Sequence, residues 1–200
     1  MNKPAILGGI PVRTTKIFYG HQYLDQADYD AVINVLKSDY LTCGPKIGEL
    51  EAKLCEITGA KYAVVCSNGT AALHMAAMAA GIGEGDELIT TPITFAASAN
   101  CALYCGAKPV FADINPETYN IDPACIRKLI TPKTKAIIIV SLFGLMPDMD
   151  AIMAIAKKHN LVVIEDDAQC FLGKYKGQNA GTIGHMSSFS FQASKHLTSG

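Results

Sequence analysis

Lys135-Ala136-Ile137-Ile138-Ile139-Val140-Ser141-Leu142 and, a short way on, Leu161-Val162-Val163-Ile164-Glu165-Asp166-Asp167 decide the fold. Neither apolar run has the period-2 alternation of a strand with one wet face. Both are apolar at successive positions, which suits strands covered on both sides. Residues 148–159 between them read as a helix. Strand, helix and strand in that order make the unit from which parallel sheets with helices on both faces are built.

The same alternation extends in both directions. Upstream, residues 62–66 read as a strand, 71–80 as an Ala-rich helix ending at Gly81, and 87–91 as a strand. A helix over 94–105 ending at Gly106, a strand over 110–113 and a helix over 123–130 follow, while 187–191 reads as one more strand downstream. Before residue 62 the pattern is purely helical. Asp25 is the N-cap of a helix over 26–38, and Ile47, Leu50, Leu54 and Ile57 fall on one face of a second helix over 47–57. The turn Thr42-Cys43-Gly44-Pro45 separates the two. The expected fold class is α/β, with a mostly parallel central sheet flanked by helices.

Composition excludes several classes. The 200 residues are 50% hydrophobic, with 17 Lys+Arg against 18 Asp+Glu and a formal net charge of -1. A disordered tail would be less apolar and more charged, and a basic nucleic-acid module would carry excess Lys and Arg. No apolar run approaches the roughly 20 residues that span a bilayer, and no apolar segment follows Met1-Asn2-Lys3-Pro4 as in a secretion signal. The expectation is a cytoplasmic protein that engages neither membrane nor nucleic acid. Seven cysteines, an odd count without a Cys-x-x-Cys pair, fit buried free thiols better than a disulfide framework or a structural zinc site. The chain stops soon after a dense polar segment, with no closing helix, so a truncated polypeptide is expected.

Ligands of open α/β sheets bind beyond the carboxyl ends of the strands, and three such junctions carry unusual residues. Ser67-Asn68-Gly69-Thr70-Ala71 opens a helix with a glycine that permits close approach and a hydroxyl that can donate to phosphate. These are also ordinary turn and capping residues. Neither a P-loop nor a dinucleotide fingerprint is present. Glu165-Asp166-Asp167 puts carboxylates at a strand end, where one could hold Mg²⁺, pair with a cationic ring nitrogen, or simply cap a helix. Gln169 follows closely. The third junction, Ser187-Ser188-Phe189-Ser190-Phe191-Gln192-Ala193-Ser194-Lys195-His196, surrounds Lys195 with small and aromatic residues and no acidic neighbour. Lysines are mostly solvated surface residues, but one in this setting can become a nucleophilic amine able to form Schiff bases. With Phe95 as an aromatic plate and Ser190 as a second hydroxyl, the set matches what pyridoxal phosphate requires.

Ser67-Asn68-Gly69-Thr70-Ala71-Ala72-Leu73, Thr91-Pro92-Ile93-Thr94-Phe95, Ile164-Glu165-Asp166-Asp167-Ala168-Gln169 and Ser188-Phe189-Ser190-Phe191-Gln192-Ala193-Ser194-Lys195 resemble, in order and spacing, the signatures of the DegT/DnrJ/EryC1/StrS aminotransferases. The resemblance implies a fold-type I large domain over residues 61–200, incomplete and without its C-terminal domain, preceded by an arm and helices over 1–60. It implies that Lys195 carries pyridoxal 5′-phosphate, Asp166 pairs with the ring nitrogen, and Phe95 stacks on the ring. Gly69, Thr70, Ala71 and Ser190 would then hold the phosphate, and Gln169 the phenolic oxygen. No metal is implied. Lysine at position 195, where some relatives have His and catalyse sugar dehydration, implies transamination from glutamate or glutamine to a keto sugar. Two acceptor classes stay open. A nucleotide-linked 4-keto-6-deoxy hexose(amine) is suggested by Thr91-Pro92-Ile93-Thr94-Phe95-Ala96-Ala97-Ser98-Ala99-Asn100, and a cyclitol ketone of the scyllo-inosose type by Phe191-Gln192-Ala193-Ser194-Lys195. The family further implies a homodimer with shared active sites, and chains considerably longer than this one. An inert truncated fragment is the alternative of another class.

Overall fold

The computed structural model describes residues 3–18 and 20–199; Met1, Asn2, Tyr19 and Gly200 lie outside the described residues. Its centre is a five-stranded sheet formed by β1 (Glu87–Thr90), β2 (Lys108–Phe111), β3 (Thr134–Val140), β4 (Val162–Asp166) and β7 (Met186–Ser188). The order is β2-β1-β3-β4-β7, and every neighbouring pair is parallel. The short strands β5 (Lys174–Tyr175) and β6 (Gln178–Asn179) form a separate antiparallel hairpin.

Successive side chains of β3 enter two different cores, which is why this strand lacks alternation. Ile137 and Ile139, with Val163 of β4, pack against Met149, Ile152, Ile155 and Ala156 of α6 (Met149–His159) and Ile126 of α5 (Pro123–Leu129). Ala136 and Ile138, with Ile164 of β4, pack against Leu73 and Ala77 of α3 (Gly69–Ala79) and Cys101 and Ala102 of α4 (Ala97–Tyr104). Each fully buried isoleucine contributes about 1.5–3 kcal/mol. This two-sided burial makes β3 and β4 a firm platform whose carboxyl ends, at Val140 and Asp166, lie side by side.

Several expected boundaries shift for local reasons. The helix expected from 94 begins at Ala97, because residues 94–96 form a turn in which the Phe95 and Ala96 carbonyls accept from Ser98 and Ala99. Conversely, α3 starts at Gly69, since Asn68 is its N-cap and accepts from the Ala71 N–H at 2.9 Å. The strand expected at 110–113 occupies Lys108–Phe111 and includes Pro109, tolerated because β2 is an edge strand. The last strand is confined to Met186–Ser188.

The strand expected at 62–66 does not form. That segment has no ladder partner among the described residues, Tyr62 and Val64 are exposed, and the Val65 N–H donates to the Glu51 side chain at 3.0 Å. Apolar β-branched residues favour a strand, but without a neighbour the backbone has nothing to pair with. The early helices α1 (Gln26–Leu36) and α2 (Pro45–Thr58) do form, α1 behind an Asp25 capping box and α2 with Pro45 in its first turn. Their apolar faces stay largely open: Tyr29, Val32, Ile33, Leu36, Ile47, Leu50 and Ile57 are all exposed. The seven cysteines are unpaired. Burial pushes the Cys101 thiol up to about 12 and that of Cys170 up to about 11, whereas Cys43 is exposed, contrary to the expected burial.

Candidate active site

The carboxyl edge of the sheet gathers the singled-out residues. Because strand neighbours alternate, β4 and the residue after it send Asp166 to the α3–α4 side and Glu165 and Asp167 to the other. Asp166 is buried, with one carboxylate oxygen accepting from the Ser98 hydroxyl of α4 at 2.6 Å and the other from the Ala168 N–H at 3.3 Å. Burial raises its pKa, and the two hydrogen bonds and the Lys195 ammonium oppose that rise by favouring the charged form. Lys195 is thus close enough to act electrostatically on Asp166. It forms no ion pair among the described residues.

Glu165 and Asp167 have a different task. Glu165 accepts from the N–H groups of Gly181, Ile183 and Gly184 at 3.0, 2.9 and 2.6 Å, tying down the loop that leads into β7. Gly181 in that loop has φ +87°, and a Cβ there would meet Phe189 Cζ at 2.5 Å, so no larger residue fits. Asp167 is fully buried; its Oδ1 accepts from the Ser141 hydroxyl at 2.6 Å, and its Oδ2 has no partner among the described residues. Burial and the neighbouring Glu165 and Asp166 carboxyls push its pKa up to about 8. The three acidic side chains therefore divide, Asp166 facing Ser98 on one side of the sheet and Glu165 and Asp167 lying on the other. Among the described residues no cluster of His, Cys, Asp and Glu could hold a metal ion.

Lys195 lies on the irregular stretch after β7. Phe171, just past β4, holds that stretch by meeting Phe189 and Phe191 edge-on, with ring centroids 5.4 and 5.3 Å apart. Ser190 is consequently brought to the start of α3, where a Cβ on Gly69 would touch Ser190 Cβ at 3.4 Å. At that helix N-terminus the Ala71 N–H is already bonded to Asn68, while those of Gly69 and Thr70 find no acceptor among the described residues. With the Ser190 hydroxyl they form a group of donors suited to an anion.

Two further candidates stand nearby. Gln169 accepts the Phe143 N–H at 2.8 Å through Oε1, which turns its NH₂ away as a free donor. Phe143 pays for this contact with a left-handed backbone, φ 53°. Phe95, in the turn between β1 and α4, leaves 75% of its surface exposed, a ring with a face available for stacking. Sequence reading missed Ser98, Ser141, Phe143 and Phe171. Only the Phe171-to-Phe191 clustering of aromatics hinted at any of them, because a lone serine or phenylalanine far away in sequence carries no local signal.

Residues 22–200 match the model of the DegT/DnrJ/EryC1/StrS aminotransferase family. The chain belongs to this family. Among curated members it is 44% identical over 178 residues to GDP-perosamine synthase of Caulobacter vibrioides, covering 88% of this chain and 48% of that one. It is 48% identical over 163 residues to the UDP-2-acetamido-2-deoxy-3-oxo-D-glucuronate aminotransferase of Pseudomonas aeruginosa, covering 82% and 45%. Spr1654 of Streptococcus pneumoniae, solved in its PLP-form, superposes with a TM-score of 0.88 at 34% identity over 92% of this chain and 51% of that one. Family membership extends to the fold-type I arrangement of a mostly parallel sheet between helices. The chain spans about half the length of the curated relatives it matches.

Proposed function

We propose that the protein carrying this chain is a pyridoxal-phosphate-dependent aminotransferase that moves an amino group from glutamate or glutamine to a keto sugar. The preferred acceptor is a nucleotide-linked 4-keto-6-deoxy hexose(amine). The observation that carries the reading is the buried Asp166 at the carboxyl edge of the sheet with Lys195 in electrostatic reach of it, in a chain of an aminotransferase family. Relatives named for GDP- and UDP-linked sugars support the nucleotide-sugar class.

The residues fit the cofactor by three features of this chain. Gly69 leaves room that a Cβ would narrow against Ser190, the Gly69 and Thr70 N–H groups await an acceptor, and Asp166 is a buried acid with a lysine in electrostatic reach. Pyridoxal phosphate, when bound, supplies an aldehyde for an amine and a cationic ring that accepts an electron pair. Lys195 Nζ would hold the aldehyde carbon and, once displaced by the donor, take the proton from the amino acid's Cα. Asp166 would hold the proton of the ring nitrogen in place. Gly69, Thr70 and Ser190 would bind the phosphate, with Ala71 contributing helix backbone behind the Asn68 cap. Gln169 would donate its NH₂ to the phenolic oxygen, and the Phe95 ring would cover one face and exclude water. We assign this work to residues 61–200, with 1–60 as arm and helices, in a cytoplasmic homodimer.

Borohydride reduction in the presence of pyridoxal phosphate, followed by peptide mapping, tests the assignment. A phosphopyridoxyl label confined to Lys195 is expected, and Lys195→Ala abolishes both label and turnover. Label elsewhere, or turnover by the variant, overturns the reading. Competition between a nucleotide-linked keto hexose and scyllo-inosose on the full-length protein separates the two acceptor classes.

A further inference from the structure

We infer that Thr94 and Ser98 form a hydroxyl relay that holds and aims the Asp166 carboxylate, making Ser98 a positioning residue for the transfer; this rests on the reading of Asp166 as the partner of the ring nitrogen. Ser98 Oγ lies 2.6 Å from Asp166 Oδ2, 2.7 Å from Thr94 Oγ1 and 3.3 Å from the Phe95 carbonyl. A hydroxyl has one proton to give, and Asp166 in the ionised form that would hold a ring-nitrogen proton can only accept. If Ser98 donated to Thr94 or to Phe95, its lone pairs would face those of Asp166 at 2.6 Å, a repulsive arrangement in a buried place. The proton therefore goes to Asp166, and Thr94 must be the donor to Ser98. The chain of donors runs one way: Thr94 to Ser98 to Asp166.

The direction has consequences for the carboxylate. Ser98 is wholly buried and Asp166 is 5% exposed, so water does not stand in for a lost partner. With the Ala168 N–H on Oδ1, each carboxylate oxygen has one donor, and the plane of the group is fixed. Both donors favour the ionised form against the burial that opposes it. The relay also joins two parts of the site that are far apart in the chain. Ser98 and Asp166 are 68 residues apart, and Thr94 sits beside Phe95 in the turn before α4. Fixing that turn and the end of β4 with one chain of hydroxyls sets the ring plate and the carboxylate in register with each other.

The test uses the full-length protein loaded with ¹⁵N-labelled pyridoxal phosphate, whose nitrogen resonance reports protonation directly. Asp166→Asn serves as the reference. Ser98→Ala is expected to move the resonance toward the unprotonated position in the same direction as Asp166→Asn, and to lower kcat about 10- to 100-fold, the equivalent of one hydrogen bond to a charged group. KM for the amino donor should stay near the wild-type value, borohydride labelling at Lys195 should persist, and Ser98→Thr should restore the resonance. Thr94→Val removes only the outer donor and leaves Asp166 untouched; it should give a smaller shift of the same sign and decides the matter if Ser98→Ala fails to fold. Wild-type resonance and kcat in Ser98→Ala or, where that protein does not fold, in Thr94→Val, with Asp166→Asn shifted, overturn the relay and leave the reading of Asp166 standing. An unmoved resonance in Asp166→Asn overturns both.

Discussion

Asp167 shows how one residue's surroundings reverse its chemistry. An aspartate in solution is ionised at neutral pH, but here burial and two carboxyl neighbours push the pKa up to about 8, and its Oδ2 lacks a donor among the described residues. The folded protein thus keeps a proton on Asp167 that the unfolded chain loses near pH 4. Between those values the native state binds more protons than the unfolded state, so this group's contribution to stability is fully present below about pH 4 and is lost as pH rises to about 8. The slope from this group is at most about 1.4 kcal/mol per pH unit. Asp167→Asn mimics the protonated acid, its oxygen still accepting from Ser141. Urea-unfolding midpoints measured from pH 5 to 9 should fall across the window in the wild type and flatten in the variant; equal slopes would show that Asp167 is ionised in the fold. The acidic triplet was legible as a candidate site, but the division of labour within it was not. Which carboxyl meets Ser98, which meets Ser141 and which meets three backbone N–H groups depends on residues that sequence places far away.

At the scale of elements, strands covered on both sides and helices with a capping or periodic signal were the readable ones. Continuous apolar runs marked β3 and β4, and Asp25 marked a helix start by side-chain capping. The segment 62–66 was misread because strand propensity is local while pairing is not. The stretch carrying Ser190 and Lys195 is mostly without regular structure and depends on Phe171 for its place. Phe171→Ala removes two edge-on ring contacts, worth about 1–3 kcal/mol together. The expected result is faster limited proteolysis between residues 189 and 199 and a lower yield of borohydride label at Lys195. Unchanged cleavage and labelling would mean that the loop is held by something else.

For the molecule as a whole, the sheet is well covered while much of the N-terminal region is not. Ile6, Ile10 and Val12 are more than nine-tenths exposed, and the apolar faces of α1 and α2 are open. Apolar surface on this scale favours association. The 200-residue chain expressed by itself should elute as more than a monomer in size-exclusion chromatography and bind a hydrophobic dye; a clean monomer without dye binding would contradict this.

The sequence by itself determined the α/β class, the mostly parallel character of the sheet and a short roster of candidate site residues, because burial on two faces, helix caps and uncommon side chains at strand ends are all written locally. Only the tertiary structure decided what those residues meet. It turned Asp166 and Asp167 to opposite faces, put Ser98 against one and Ser141 against the other, and brought Ser190 to the mouth of α3. The physical reason is that charge state and hydrogen-bond direction are set by the neighbours a side chain meets in space, and those neighbours are chosen by packing rather than by proximity along the chain.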